Sequence, residues 1–145
     1  EMTVLENVVA GAPRRAGRAA TGHARALLAR LELDHLADVL ANDLAFGDRR
    51  RVELARAVAA DPWLLLADEP AAGLNDTERR RLFADLSALR AAGTTIVLIE
   101  HDMRLVMAIS ERVIVLNFGR VIADGDPQTV RNDPAVIAAY LGTAS

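Results

Sequence analysis

An apolar run, Leu64-Leu65-Leu66-Ala67, ends in two adjacent carboxylates, Asp68 and Glu69. Read as a strand, it delivers both acids to its C-terminal end, where open α/β sheets bind ligands. Successive strand residues point to opposite faces, so the two acids can do different jobs. One suits the shell of a Mg²⁺ ion on phosphates, because that ion takes hard oxygen ligands and keeps several waters. The other can polarise an attacking water. The same acidic strand end also suits a helix cap or a solvated turn, and the pattern alone does not choose. A second segment, Leu44-Ala45-Phe46-Gly47-Asp48, stands directly before a helical stretch. Glycine at a helix N-terminus lets backbone N–H groups approach an anion, and the dipole favours negative charge there. Ordinary capping explains it as well. Arg49, Arg50 and Arg51 follow and read first as a solvated face, with phosphate or partner contacts as the alternative. His101, after Glu100, sits just past a second apolar run. It is either a structural histidine or, at such a strand end, a γ-phosphate contact or proton handler.

The elements that must position these residues are legible from caps, breakers and periodicity. Thr3, with Glu6 three residues on, reads as a capping box opening a short helix that Gly11-Ala12-Pro13 breaks. Arg14 to Gly22 is basic and small, and is expected as a loop or a fraying helix start. Ala24 to Leu33 is helical, with Leu27, Leu28 and Leu31 on one face, and Leu36 to Leu40 forms another short helix. A helix from Gly47 or Asp48 to about Ala60 stops at Asp61-Pro62, since proline disfavours helical geometry in the residue before it. Trp63 to Ala67 and Thr94 to Ile99 read as buried parallel strands, apolar on both faces. Between them Asn75 caps a helix, with Glu78 at the box position, Leu82, Phe83, Leu86 and Leu89 as its buried stripe, and Gly93 at its end. Met103 to Ile109 is a helix capped by Asp102. Arg112 to Leu116 is a third strand that turns at Asn117-Phe118-Gly119 into Arg120 to Ala123 as an antiparallel hairpin at the sheet edge. Short helices open at Pro127 and Pro134. A helical front third followed by alternating strand and helix is an α/β class with a mostly parallel sheet.

Composition narrows the function classes. The 145 residues are 52% hydrophobic, which is globular, but only 3% aromatic, so the core is aliphatic. There is no cysteine, which removes disulfides, thiol catalysis and thiolate metal sites. With 17 basic against 20 acidic residues the net charge is −3, which gives no support to nucleic-acid binding. No apolar run approaches the roughly 18 residues of a membrane span. All the positive charge is arginine; the sequence holds no lysine.

The order and spacing of the chemical residues carry more than any one of them. Gly47 precedes Asp68 by 21 residues, and His101 follows Glu69 by 32. A glycine-opened helix, an acidic strand end, the turn Ala72-Gly73-Leu74-Asn75, then a strand and a histidine resembles the ATP-binding cassette (ABC) ATPases. Leu44 to Ala57 looks like the signature motif and its helix, Leu64 to Glu69 like the Walker B strand, Ala72 to Asn75 like the D-loop and His101 like the switch histidine. Phe46-Gly47-Asp48, the phrase from Asp68 to Asn75, Ile99-Glu100-His101-Asp102-Met103 and the tail Ala139-Tyr140-Leu141-Gly142 resemble the ATPase subunits of branched-chain amino acid importers. Met2 to Val8 looks like the segment that follows the glutamine loop there.

The resemblance implies an incomplete P-loop NTPase core of α/β class, with a helical signature subdomain at 1–61 and the C-terminal part of the ATPase core at 62–145. Asp68 would act on Mg²⁺ through water, Glu69 as general base, and His101 on the γ-phosphate. Ala45, Phe46, Gly47 and Asp48 would close over ATP held by the opposite subunit, and Ala72, Gly73, Leu74 and Asn75 would communicate across that dimer. ATP and Mg²⁺ are the implied cofactors. The implied partners are transmembrane permease subunits and a second ATPase subunit, identical or not, with no nucleic acid. The implied location is cytoplasmic, peripheral at the cytoplasmic face of the inner membrane. Other readings remain: a non-catalytic interaction module docking on a transporter or a full-length ATPase, and an unrelated metal hydrolase using Asp68, Glu69 and His101.

The pattern is broken in places. The phosphate loop G-x-x-x-x-G-K-[ST] is absent and, without lysine, cannot be hidden by drift. Gln128 is the one glutamine, far too late for a glutamine loop. The missing part is expected to precede Glu1, and its absence to expose apolar strand surface and favour association or low stability. Ala45 stands where the family has a signature serine, which removes a hydroxyl from the γ-phosphate contact. Backbone amides and a lysine supply most of such a phosphate cradle. These 145 residues by themselves are therefore expected neither to bind Mg-ATP tightly nor to hydrolyse it. Titration calorimetry at high protein concentration should show no heat; micromolar binding would contradict the assignment of roles.

Overall fold

The computed structural model describes residues 2–141, so Gly142 of the expected tail lies outside the described residues. The chain forms two compact units, Glu1–Ile99 and Glu100–Ser145.

In the first unit, α1 (Val4–Ala10) opens on the expected capping box. Glu6 N donates to Thr3 Oγ1 at 3.2 Å and Thr3 N to Glu6 Oε2 at 2.7 Å. Helix α2 (Gly17–Arg30) begins well before Ala24, inside the stretch expected as a loop or a fraying helix start. The reason is a small-residue stripe: Ala20, Ala24, Leu27, Leu28 and Leu31 are all buried, at helical spacing. A 3₁₀ turn, Asp34–Leu36, replaces the helix expected at Leu36 to Leu40, and Leu40 instead bridges Thr3. Helix α3 (Phe46–Val58) ends three residues before Asp61, whose φ of 50° lies in the left-handed region. Helix α1 packs against α2 and α3, and α3 against α4 (Asp76–Ala91). The stripe Leu82, Phe83, Leu86 and Leu89 of α4 is buried as expected, each side chain contributing roughly 1.5–3 kcal/mol relative to exposure.

The α3–α4 contact also encloses an ion pair. Arg51 Nε and Nη2 donate to Asp85 Oδ2 and Oδ1 at 2.6 and 3.1 Å, and Nη2 donates to the Leu31 carbonyl at 2.5 Å. The residues are 8% and 7% exposed. Arg51 is therefore no part of a solvated face, a correction to the sequence reading. Burial pushes the Asp85 carboxyl up from its ordinary range, against the pull of Arg51. The hydrogen bond to Asp85 in turn raises the Arg51 guanidinium.

Strands β1 (Leu64–Asp68) and β2 (Thr95–Ile99) pair in parallel, Leu66 opposite Val97 and Asp68 opposite Ile99. Their burial departs from the two-sided burial that the apolar runs suggest and agrees with the expected exposure of apolar strand surface. Leu65 is buried, but Leu66 is 70%, Val97 48% and Ile99 58% exposed. One face of the pair carries no packed layer among the described residues, so the run is apolar on both faces yet covered on one.

In the second unit, α5 (Met103–Ile109) is capped by Asp102, whose side chain accepts from Arg104 N and Leu105 N. Strands β3 (Val113–Asn117) and β4 (Arg120–Gly125) form the expected antiparallel hairpin, but as a two-stranded sheet of their own and not at the edge of the β1–β2 sheet. Phe118 and Gly119 both have positive φ, the geometry that a two-residue hairpin turn requires. Helices α6 (Pro127–Arg131) and α7 (Pro134–Val136) open on their prolines, and the chain continues as a π turn over Ile137–Leu141. Val113, Val115, Val130 and Val136 are the core, with Met103, Val106 and Met107 packed against it.

Replacing Asp85 by alanine leaves the Arg51 guanidinium buried and unpaired. The substitution should cost about 3–5 kcal/mol in urea unfolding, whereas the apolar pair Arg51→Met with Asp85→Leu should cost much less. A loss for Asp85→Ala below about 1 kcal/mol would mean that the pair is accessible to water.

Candidate functional site

Three of the chemical segments lie in the first unit, and local forces set each one. At the end of β1 the chain leaves the strand through Glu69, whose φ of 43° is left-handed. A non-glycine residue there carries strain of order 1–3 kcal/mol and persists only where its surroundings over-determine it. Here they do: Glu69 N donates to the Ile99 carbonyl at 2.9 Å, and Ala72 N donates to the Glu69 carbonyl at 3.1 Å. Asp68 and Glu69 are both exposed.

The turn from Ala72 to Asn75 follows at once. Gly73 takes a φ of 77°, Leu74 is buried, and Leu74 N donates to the Ala71 carbonyl at 3.2 Å. Asn75 then caps α4 in the expected box: its Oδ1 accepts from Thr77 N and Glu78 N, each at 3.0 Å, and its N–H donates to Glu78 Oε2 at 3.0 Å.

The third segment opens α3. Its N-cap is Ala45, which has no side-chain acceptor and makes no side-chain cap bond. The first-turn N–H groups of Phe46, Gly47 and Asp48 have no intrahelical partner by the geometry of any helix start. An uncapped, glycine-containing helix opening is a fitting donor set for phosphate oxygens. Asp48 already adds one negative charge to this turn.

The structure brings the α3 opening and the turn before α4 together. A Cβ built on Gly73 would stand 3.2 Å from Cε1 of Phe46. A Cβ built on Gly47 would stand 2.6 Å from Cγ and 2.7 Å from Cδ of Glu78. Arg50 lies over the Phe46 ring at 5.3 Å from its centroid and donates to Glu53 at 2.9 Å. Gly47 thus leaves the room that the Glu78 side chain occupies, whatever anion it also admits. Sequence reasoning found the Glu78 cap but missed this contact, because a capping box is local and the Gly47–Glu78 meeting is 31 residues apart in the chain. His101 belongs to the second unit, where it is exposed, with Nδ1 3.9 Å from Oε2 of the buried Glu100 side chain.

Among the described residues no three His, Cys, Asp or Glu side chains cluster as a metal cage, so nothing there supports the metal-hydrolase reading. A single exposed carboxylate such as Asp68 does fit Mg²⁺, which keeps most of its waters. An open cleft of about 390 Å³, lined by His23, Arg30, Asp61 and Thr94 among others, includes none of the candidate residues. No described helix is long and apolar enough to cross a membrane.

Known proteins share this arrangement. Residues 1–72 match the family model described as ABC transporter, and residues 120–145 the model described as branched-chain amino acid ATP-binding cassette transporter. The chain is 44% identical to the high-affinity branched-chain amino acid transport ATP-binding protein LivG of Salmonella typhimurium, over 99% of this chain and 64% of that protein. It is 46% identical to the corresponding protein BraF of Pseudomonas aeruginosa, over 90% of this chain and 52% of that one. The chain therefore spans less than two thirds of these relatives. A crystal structure of the ADP conformation of an ATP-binding cassette of an ABC transporter superposes with a TM-score of 0.85 at 30% identity, covering 99% of this chain and 64% of that one.

Gly47→Ala should destabilise the protein, because its Cβ dislodges Glu78 from the Asn75 cap. In a Glu78→Ala background the same change should be neutral or stabilising, a coupling of about 1 kcal/mol in a double-mutant cycle read by urea unfolding. Strict additivity would exclude the contact.

Proposed function

Because this chain belongs to the ABC transporter ATPase family, we propose that it supplies the signature helix and the hydrolytic strand end of the ATP-binding subunit of a branched-chain amino acid importer. The observation that carries this reading is the seating of Phe46 on Gly73, which joins the uncapped α3 opening to the turn that follows Asp68 and Glu69. ATP is the substrate, and Mg²⁺, when bound, neutralises phosphate charge that develops in the reaction.

On this reading, Glu69 is the general base. Its carboxylate, held out at the strained strand end, accepts a proton from the attacking water. Asp68 would hold Mg²⁺ through a water. The N–H groups of Phe46, Gly47 and Asp48 close over ATP bound to a second ATPase subunit, identical or not, without the hydroxyl that Ala45 lacks. Ala72, Gly73, Leu74 and Asn75 face that subunit and carry its state to the strand end. His101, two residues past β2, holds the γ-phosphate. Residues 1–61 act as the helical signature subdomain and 62–145 as part of the ATPase core. Transmembrane permease subunits are the remaining partners, which places the protein in the cytoplasm, peripheral at the inner membrane. The closeness to LivG and BraF, both named for branched-chain amino acid transport, supports the substrate class.

A chimera tests this. These 145 residues, placed over the matching stretch of the Salmonella typhimurium relative, should hydrolyse ATP. In it, Glu69→Gln should lower kcat by about 100-fold or more with ATP binding retained, the scale of a lost general base. A folded, ATP-binding chimera with no turnover, or one indifferent to Glu69→Gln, would refute the reading.

A further inference from the structure

Phe46 is an aromatic side chain with no core to serve: it is 45% exposed, in a chain with few aromatics. Its contacts are specific nonetheless. The ring edge meets Gly73, and the Arg50 guanidinium covers the ring while paired to Glu53. Glu78 is equally tied. One oxygen accepts from Asn75 N, and the side chain fills the space beside Gly47. Each contact pairs a glycine with a larger side chain from the other segment, and the two run in opposite senses. Phe46 reaches from the α3 opening to the turn; Glu78 reaches from the start of α4 back to the α3 opening. Two such links fix a relative orientation as well as a distance, which a single contact cannot do.

We infer that Phe46 and Glu78 are positioning residues forming a reciprocal brace, by which Ala45–Asp48 and Ala72–Asn75 move as one rigid element. The consequence for transport rests on the reading above: a displacement felt at the turn is passed to the segment that closes over ATP. The brace itself depends only on this chain. Burial does not explain Phe46, since half its surface faces water. Capping alone does not explain Glu78, since its Cγ and Cδ lie where a Gly47 side chain would be.

Nuclear magnetic resonance on the 145-residue chain tests the brace without nucleotide or transporter. The Gly73 Hα that takes the direction of a Cβ points at the Phe46 ring, so its resonance should be displaced by the ring current. Phe46→Leu should return it to an ordinary glycine position, and Phe46→Tyr should restore the displacement. Phe46→Leu should also speed amide exchange at Leu74 and Asn75 by about tenfold, with no change in the exchange of α3 amides around Arg51. The cross effect is decisive: Glu78→Ala, on the other link, should move the Gly73 Hα resonance as well. A Gly73 Hα at an ordinary position in the unmodified chain, or one that ignores Glu78→Ala, would overturn the proposal. Failure of the chimera to hydrolyse ATP would count against the transporter reading and leave the brace standing.

Discussion

A guanidinium and a carboxylate withdrawn from water must find each other, and the first unit is arranged so that Arg51 and Asp85 do. Desolvating both groups costs several kcal/mol, which only good geometry and complete hydrogen bonding offset. The geometry here is two parallel bonds, and the remaining Arg51 donor goes to the Leu31 carbonyl just past the end of α2. The pair thus ties α3 to α4 and to the C-terminal end of α2. Apolar packing in the same region is non-directional and tolerates sliding; the ion pair does not. Rotation of α3 about its axis would break it.

The opening of α3 inherits that constraint. With the helix held by Arg51, its opening residues five positions earlier have a set direction, and Phe46 can meet Gly73. The turn containing Gly73 is held in its own right by the strained exit at Glu69 and by the cap of α4 at Asn75. Strain at Glu69 and an absent cap at Ala45 are both unfavourable taken singly. They are tolerated because neighbouring hydrogen bonds and packing over-determine the local structure, and both fall on residues for which chemical roles are proposed.

The β1–β2 pair shows the opposite case, a strong sequence preference left unfulfilled. Leu66, Val97 and Ile99 form an apolar face that water reaches, although the run reads as a strand covered on both sides. Its partner face is satisfied through Leu65. Hydrophobicity states what a residue prefers, and whether a second layer exists is a property of the assembly that the strand enters. The Arg49-Arg50-Arg51 triplet makes the same point with polar residues. Three identical side chains in a row take three environments: exposed, stacked on an aromatic ring, and buried in an ion pair.

By itself the sequence determined whatever is local or periodic. The capping boxes at Thr3 and Asn75, the proline-opened helices, the stripe of α4, the hairpin at Phe118-Gly119 and the acidic end of β1 all follow from residues within a turn or two of one another. The order of chemical motifs, and with it the family, was legible for the same reason. The start of α2 was not, because its stripe is made of alanines, whose small apolar surface gives a weak signal. Only the tertiary structure decided that Arg51 faces inward, that Gly47 makes room for Glu78, and that Phe46 reaches Gly73. Each of these joins residues more than 25 positions apart in the chain. Partners at that distance are chosen by the packing of whole helices, which no window of sequence contains.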